Sequence, residues 1–266
     1  MAGILKALFG KPAGLPAPDE ADWRAAFDLP VFDGFAPAQF DTLRSLAERL
    51  LADKTFTPVS GAELDGASLA RIAALAALPV LNLGYEWYGT WNEIVVYPQQ
   101  FVPEREITDA FGVVHRVRQP LSGEAWEGGP LVLSLNDVYG SGLGEGYNVV
   151  IHEFAHKLDM KNGAVDGLPP LHGEMDQAEW AAALGSAYDA FCRRVDAAAD
   201  PEGAFAIDPY ASESPAEFFA VLSEYFFELP DVLVAEFPAV YAQMRQFYRQ
   251  DPLERLEHAS HDPATS

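Results

Sequence analysis

Two histidines four residues apart, with a glutamate directly after the first, stand in the stretch Val149-Val150-Ile151-His152-Glu153-Phe154-Ala155-His156-Lys157-Leu158-Asp159. Positions i and i+4 of an α-helix lie one turn apart on one face, so both imidazoles can address a single metal ion. Glu153 is rotated around the helix from His152 and can reach a water held by that ion without ligating it. Two ligands and a general base on one rigid element suit metal-assisted hydrolysis. With 6 histidines in 266 residues, the pattern His-Glu-x-x-His is expected by chance about 0.01 times. The bland alternative is a core helix with two hydrogen-bonded histidines. The apolar other side of the helix (Val149, Val150, Phe154, Leu158) marks it for burial, and the glycine-rich turn "GLGEGYN" before it strengthens the metal reading.

A hydrolytic zinc centre takes three protein ligands and keeps a fourth position open. Asp159 follows His156 by three residues, where a ligand would strain the helix, so it is expected to accept a histidine N–H instead. Position 162, from which a short return loop could ligate, is Asn162. The later stretch "ESPAEFFAVLSEYFF" offers Glu213, Glu217 and Glu224. Glu217 stands one turn into a helix beside Phe218, Phe219, Ala220 and Val221, where a carboxylate without a cation is costly to bury. A carboxylate in a first helical turn also suits the helix dipole. Glu224 lies two turns on, on nearly the same face, and is the runner-up. Tyr210, in "DPYASES" seven residues before Glu217, is placed to reach over the metal and stabilise an oxyanion.

The elements that must carry these residues are readable from periodicity. Helices are predicted over 36–53, over 65–84 with Pro79 ending it, over 175–199, over 214–229 from a Ser214 cap and Pro215, and across "FPAVYAQMRQFYRQDP" to near Pro252. Alternation predicts strands over 92–102, 113–123 and 129–140. The segment 130–138 is a candidate edge strand for pairing with an extended substrate, or an ordinary sheet strand. Helices, a small sheet, then helices is an α+β order. It forms one domain over about 21–253, with a helical part to about 84 and the sheet and metal helix after it. Residues 1–20 read as a flexible lead-in and 254–266 as a flexible tail.

The formal net charge is −23, a field that repels phosphate backbones and argues against direct nucleic-acid binding. No segment reaches the roughly 18–20 apolar residues that span a bilayer. One cysteine, Cys192, excludes an internal disulfide framework and fits a reducing, cytoplasmic setting; it reads as a helix-core thiol. His115, His258 and His261 carry no chemistry in this reading, His172 reads as a solvated loop histidine, and "YEWYGTW" (85–91) as packing. No oligomeric state is set by the sequence.

Taken together, "VIHEFAHKLDMKNG", "DPYASESPAEFFAVLSEYFFELP" and "QFYRQDPLERL" resemble the Mlc titration factor A family of bacterial zinc peptidases, from about "WRAAF" to "DPLERL". That resemblance implies a zincin-like, gluzincin-type fold whose catalytic core is similar to the anthrax lethal factor protease domain. It implies one Zn2+ per chain on His152, His156 and Glu217, with Glu153 as general base. It also supports Tyr210, because the related proteases place a catalytic tyrosine seven residues before their glutamate ligand. It further implies an aminopeptidase-like activity on peptides in the cytoplasm. Some members bind and inactivate the glucose-responsive repressor Mlc, a link to regulation of the sugar phosphotransferase system.

Overall fold

The computed structural model describes residues 14–101, 105–108, 114–117, 121–126, 128–198 and 205–261. Residues 1–13 of the predicted lead-in, 102, 113 and 118–120 of the predicted strands, 199 of the predicted 175–199 helix and 262–266 of the predicted tail lie outside them. Asp19 opens the first helix, α1 (Glu20–Phe27): its carboxylate accepts from Ala21 N and Asp22 N, and Asp22 accepts from Asp19 N. Such reciprocal caps satisfy donors that have no partner inside the helix. Next come α2 (Pro37–Asp53) and α3 (Gly66–Ala77), the latter capped by Asp65 and apolar almost all round. A helix of that kind must be surrounded, and α3 packs among α1, α2 and the histidine-bearing helix. It stops at Ala77, and Pro79 sits in a 3-10 turn, Leu78–Val80.

Strands β1 (Thr55–Pro58), β2 (Glu93–Tyr97), β5 (Gly123–Ala125) and β6 (Leu131–Ser134) form one sheet in the order β1-β2-β6-β5. The first three in that order run parallel, while β5 is antiparallel to β6, with Gly123 opposite Leu133. Between β2 and β5 in the chain, β3 (Arg105–Thr108) and β4 (Val114–Val117) make a separate antiparallel pair. Every residue of β6 is buried, as befits a strand with neighbours on both sides. The candidate substrate edge at 130–138 is therefore corrected. β6 is interior, β5 is the edge strand beside it, and residues from Leu135 turn into a short helix, α4 (Leu135–Tyr139).

The remaining helices are α5 (Val149–Asp159), α6 (Gln177–Ala197), α7 (Pro215–Glu228), α8 (Pro230–Glu236), α9 (Pro238–Tyr248) and α10 (Pro252–His261). Proline begins four of them, where its missing N–H costs nothing. α1, α4, α8 and α10 were not predicted. α9 ends four residues before Pro252, with Arg249 left-handed at φ 53°, and α10 continues where the sequence pattern places a tail. α5 lies against β5, β6 and α3 on one side and along α7 on the other. α7 brings Phe218, Phe219, Phe226 and Phe227 into the core with Trp180, Phe247 and Tyr248. The result is an α+β, zincin-like architecture, and no helix among the described residues is long and apolar enough to cross a membrane.

Candidate metal centre

The metal helix starts from a tightly held loop. Asn148 caps α5, its side chain accepting from Ile151 N at 3.0 Å. Ahead of it Gly142, at φ 86°, packs against Leu29 and Leu75, where an added Cβ would stand only 3.0–3.1 Å away. Arg71 of α3 donates to the carbonyls of Val138, Tyr139 and Ser141, and Val31 N bonds Gly142 O. From the other side Glu228 of α7 accepts from Gly144 N at 2.6 Å and from Asn148 Nδ2 at 2.7 Å. The loop is thus anchored on two layers of the fold before the first histidine appears.

On α5, His152 and His156 point the same way, as their spacing requires. Ser214 accepts from Glu217 N at 3.1 Å and starts α7 so that Glu217 meets both rings. His152 Nε2 and His156 Nε2 lie 3.2 Å apart, and Glu217 Oε2 is 3.0 Å from the first and 3.3 Å from the second. Two ligand atoms each about 2.0–2.1 Å from one tetrahedral ion stand about 3.3–3.4 Å apart. The triangle therefore fits a single divalent ion nearly as it stands, with two imidazole nitrogens and one carboxylate as its donor set. It is the only such group of three among the described residues.

Glu224, the runner-up ligand, occupies a different place. Its Oε1 is 2.8 Å from His152 Nδ1, the ring nitrogen facing away from the triangle, and its Oε2 accepts from Asn148 N. A carboxylate on the outer nitrogen fixes the tautomer and orientation of a metal-binding histidine. Burial drives the Glu224 carboxyl upward from its ordinary range, opposed by His152 and Asn148. Glu217 is held below its range: burial works to raise it, but the two imidazoles overcome that. Glu217, Glu224 and Glu228, spaced seven and four apart, form one acidic stripe along an otherwise apolar helix. Spacing alone left Glu217 and Glu224 both open as the ligand, and it did not single out Glu228, which holds the loop ahead of α5.

Glu153 is buried, only 4% exposed, and its Oε2 has no hydrogen-bond partner among the described residues. Burial pushes its carboxyl up to about 7, with Glu217 and Glu124 adding to the rise and the two histidines opposing it. Tyr210 is 45% exposed in the 3-10 turn Pro209–Ser212, where Asp208 accepts its N–H at 2.9 Å, and its ring centroid lies 6.1 Å from that of His152. Asp159 does not take the bond expected of it. Its Oδ2 accepts from Gly167 N at 2.8 Å, while its Oδ1 and His156 Nδ1 are both buried and unpartnered among the described residues. Gly167 touches Pro215 at the start of α7, so Asp159 braces the two metal-centre helices rather than a ring. His172 is likewise no solvated loop residue: it contacts Phe247 O at 2.7 Å and packs on Trp87.

A buried carboxylate, Glu153, thus lies beside the donor triangle. Helix, second-helix carboxylate and small mixed sheet together are the architecture of zincin-like metallopeptidases. The chain belongs to the glucose-regulated metallo-peptidase M90 family, which matches residues 13–249. It is 41% identical over 238 residues to the Mlc titration factor A of Escherichia coli (strain 55989 / EAEC), covering 90% of this chain and 89% of that protein. The protein of the same name from Escherichia fergusonii is 43% identical over 242 residues, 91% of this chain and 90% of the relative. That of Cronobacter sakazakii (strain ATCC BAA-894) is 42% identical over 234 residues, 88% of each.

Proposed function

We propose that this chain is a cytoplasmic zinc-dependent peptidase of aminopeptidase-like type. In this reading His152, His156 and Glu217 hold the ion, Glu153 is the general base and Tyr210 the oxyanion donor. The observation that carries it is the donor triangle, with edges of 3.0–3.3 Å, beside a buried carboxylate with one unengaged oxygen. When bound, zinc would acidify a water and polarise the scissile carbonyl. Glu153 takes the attacking water's proton and returns it to the leaving amine. The Tyr210 phenol donates to the developing oxyanion. The edge strand beside α5, β5, is where an extended peptide would pair.

A regulatory role accompanies this one. The relatives' name, Mlc titration factor A, supports binding of an Mlc-type glucose-responsive repressor, and through it an effect on the sugar phosphotransferase system. That name speaks of titration and not of hydrolysis, so it also supports a second reading, in which the chain sequesters the repressor around a vestigial or structural zinc site. Glu153→Gln separates the two. Loaded with zinc, it is expected to hydrolyse an aminoacyl chromogenic substrate at least about 100-fold more slowly than wild type. Wild-type rates with zinc still bound would overturn the mechanism. Repressor capture that survives the substitution would show that binding needs no peptidase chemistry.

A further inference from the structure

Gly123 begins β5, and its φ lies outside the left-handed region, so nothing in its backbone requires glycine. Its surroundings do. A Cβ added there would fall 2.3 Å from Glu153 Oε1, 2.6 Å from Glu153 Cγ and 2.7 Å from Glu153 Cδ. One turn further along the same face of α5, Lys157 reaches the far end of the same hairpin. Its Nζ donates to Trp126 O at 2.7 Å and to Gly129 O at 2.9 Å. These carbonyls belong to the turn from β5 to β6, closed by Trp126 N bonding Pro130 O and Gly129 N bonding Trp126 O. The ammonium is buried, 4.7 Å from the ring centroid of Trp91, a ring that also lies 4.4 Å from Lys54 Nζ. Taking an ammonium out of water is costly unless its donors are met, and here main-chain carbonyls and an indole meet them. Lys157 therefore grips the hairpin by its backbone, at the end opposite the glycine.

We infer that the β5–β6 hairpin is the template that positions Glu153. Gly123 supplies the slot in which the carboxylate side chain lies, and Lys157 clamps the hairpin so that the slot keeps its width. Both are positioning residues, and the catalytic part of the inference rests on Glu153 being the base proposed above. In Gly123→Ala, relief of a 2.3 Å approach to ordinary contact shifts the carboxylate by about 1 Å, a misplacement worth about 100-fold in rate.

The experiment is a cycle of Gly123→Ala, Glu153→Ala and the double variant, with Lys157→Met alongside, all zinc-loaded. Gly123→Ala is expected to lower kcat about 100-fold at nearly unchanged KM and zinc stoichiometry. It should lower Tm by about 3 °C or more in the Glu153 background and leave Tm unchanged when Glu153 is already alanine. Lys157→Met should raise amide hydrogen exchange across residues 123–130 at least about 10-fold while exchange in β1 and β2 stays as in wild type. An equal Tm loss in both backgrounds, or unaltered hairpin exchange, would overturn the inference. If wild type itself hydrolyses nothing while the cycle and the exchange behave as stated, the peptidase reading falls and the placement of Glu153 by the hairpin stands.

Discussion

Replacing Glu217 and Glu224 in turn by alanine tests which carboxylate of α7 holds the ion. The two differ in what they touch. Glu217 Oε2 is 3.0 and 3.3 Å from the two inward nitrogens, whereas Glu224 Oε1 meets only His152 Nδ1. Losing the partner of a metal-binding histidine costs about 10–100-fold in affinity, or about 1.4–2.8 kcal/mol. Losing one of three ligands should exceed that range. Glu224→Ala also leaves two buried donors unmet, Asn148 N–H and the outer nitrogen of His152, at about 1–3 kcal/mol each. Part of that is offset because a buried carboxylate is no longer desolvated. Competition against a chromogenic chelator, at one pH because ligands must be deprotonated, should give a 10–100-fold weaker Kd for Glu224→Ala and a loss greater than about 100-fold for Glu217→Ala. The reverse order would make Glu224 the ligand and refute the triangle.

Tyr210→Phe should leave zinc affinity unchanged and lower kcat by about 100–1000-fold, the range for one oxyanion donor; an undiminished kcat would remove the phenol from the mechanism. Glu228 gives a pH signature. Burial pushes its carboxyl from 4.5 up to about 7 against the pull of Asn148 and Gly144, so the folded state holds a proton that the unfolded chain has released. Its contribution is fully favourable below about pH 4.5 and is lost as pH rises through about 7, by about 3 kcal/mol in all. Glu228→Gln should flatten that decline, apart from a pH-independent offset; denaturant titrations of both proteins at pH 5 and pH 8 that differ by the same amount would contradict it.

The candidate centre was legible where local geometry decides. A spacing of four on a helix forces His152 and His156 together, and Ser214-Pro215 fixes the start of α7, hence the rotation of Glu217. Glu224 was ambiguous because seven residues return to the same helical face; only the depth at which α5 and α7 cross tells inner from outer ring nitrogen. Gly123 and Lys157 were illegible because their meaning is a contact between a hairpin and a helix distant in sequence. Whether 130–138 is an edge or an ordinary sheet strand stayed open because alternation says nothing of how many neighbours a strand has. The four consecutive buried residues of β6 are the signal of an interior strand, and the three-residue edge β5 is too short to show a period. The helices that Pro230 and Pro252 begin escaped because they are only about two and about three turns long.

The loop ahead of the metal helix has owners in both halves of the chain. Arg71 of α3 and Val31, in the 3-10 turn between α1 and α2, hold its carbonyls from the N-terminal part, and Glu228 holds its amide from α7. A fragment beginning after residue 84 would keep every candidate ligand yet lack one wall of the socket that sets the pitch of α5. Grafting the N-terminal helices of one relative onto another is for the same reason a mutation of the metal centre, delivered from a distance.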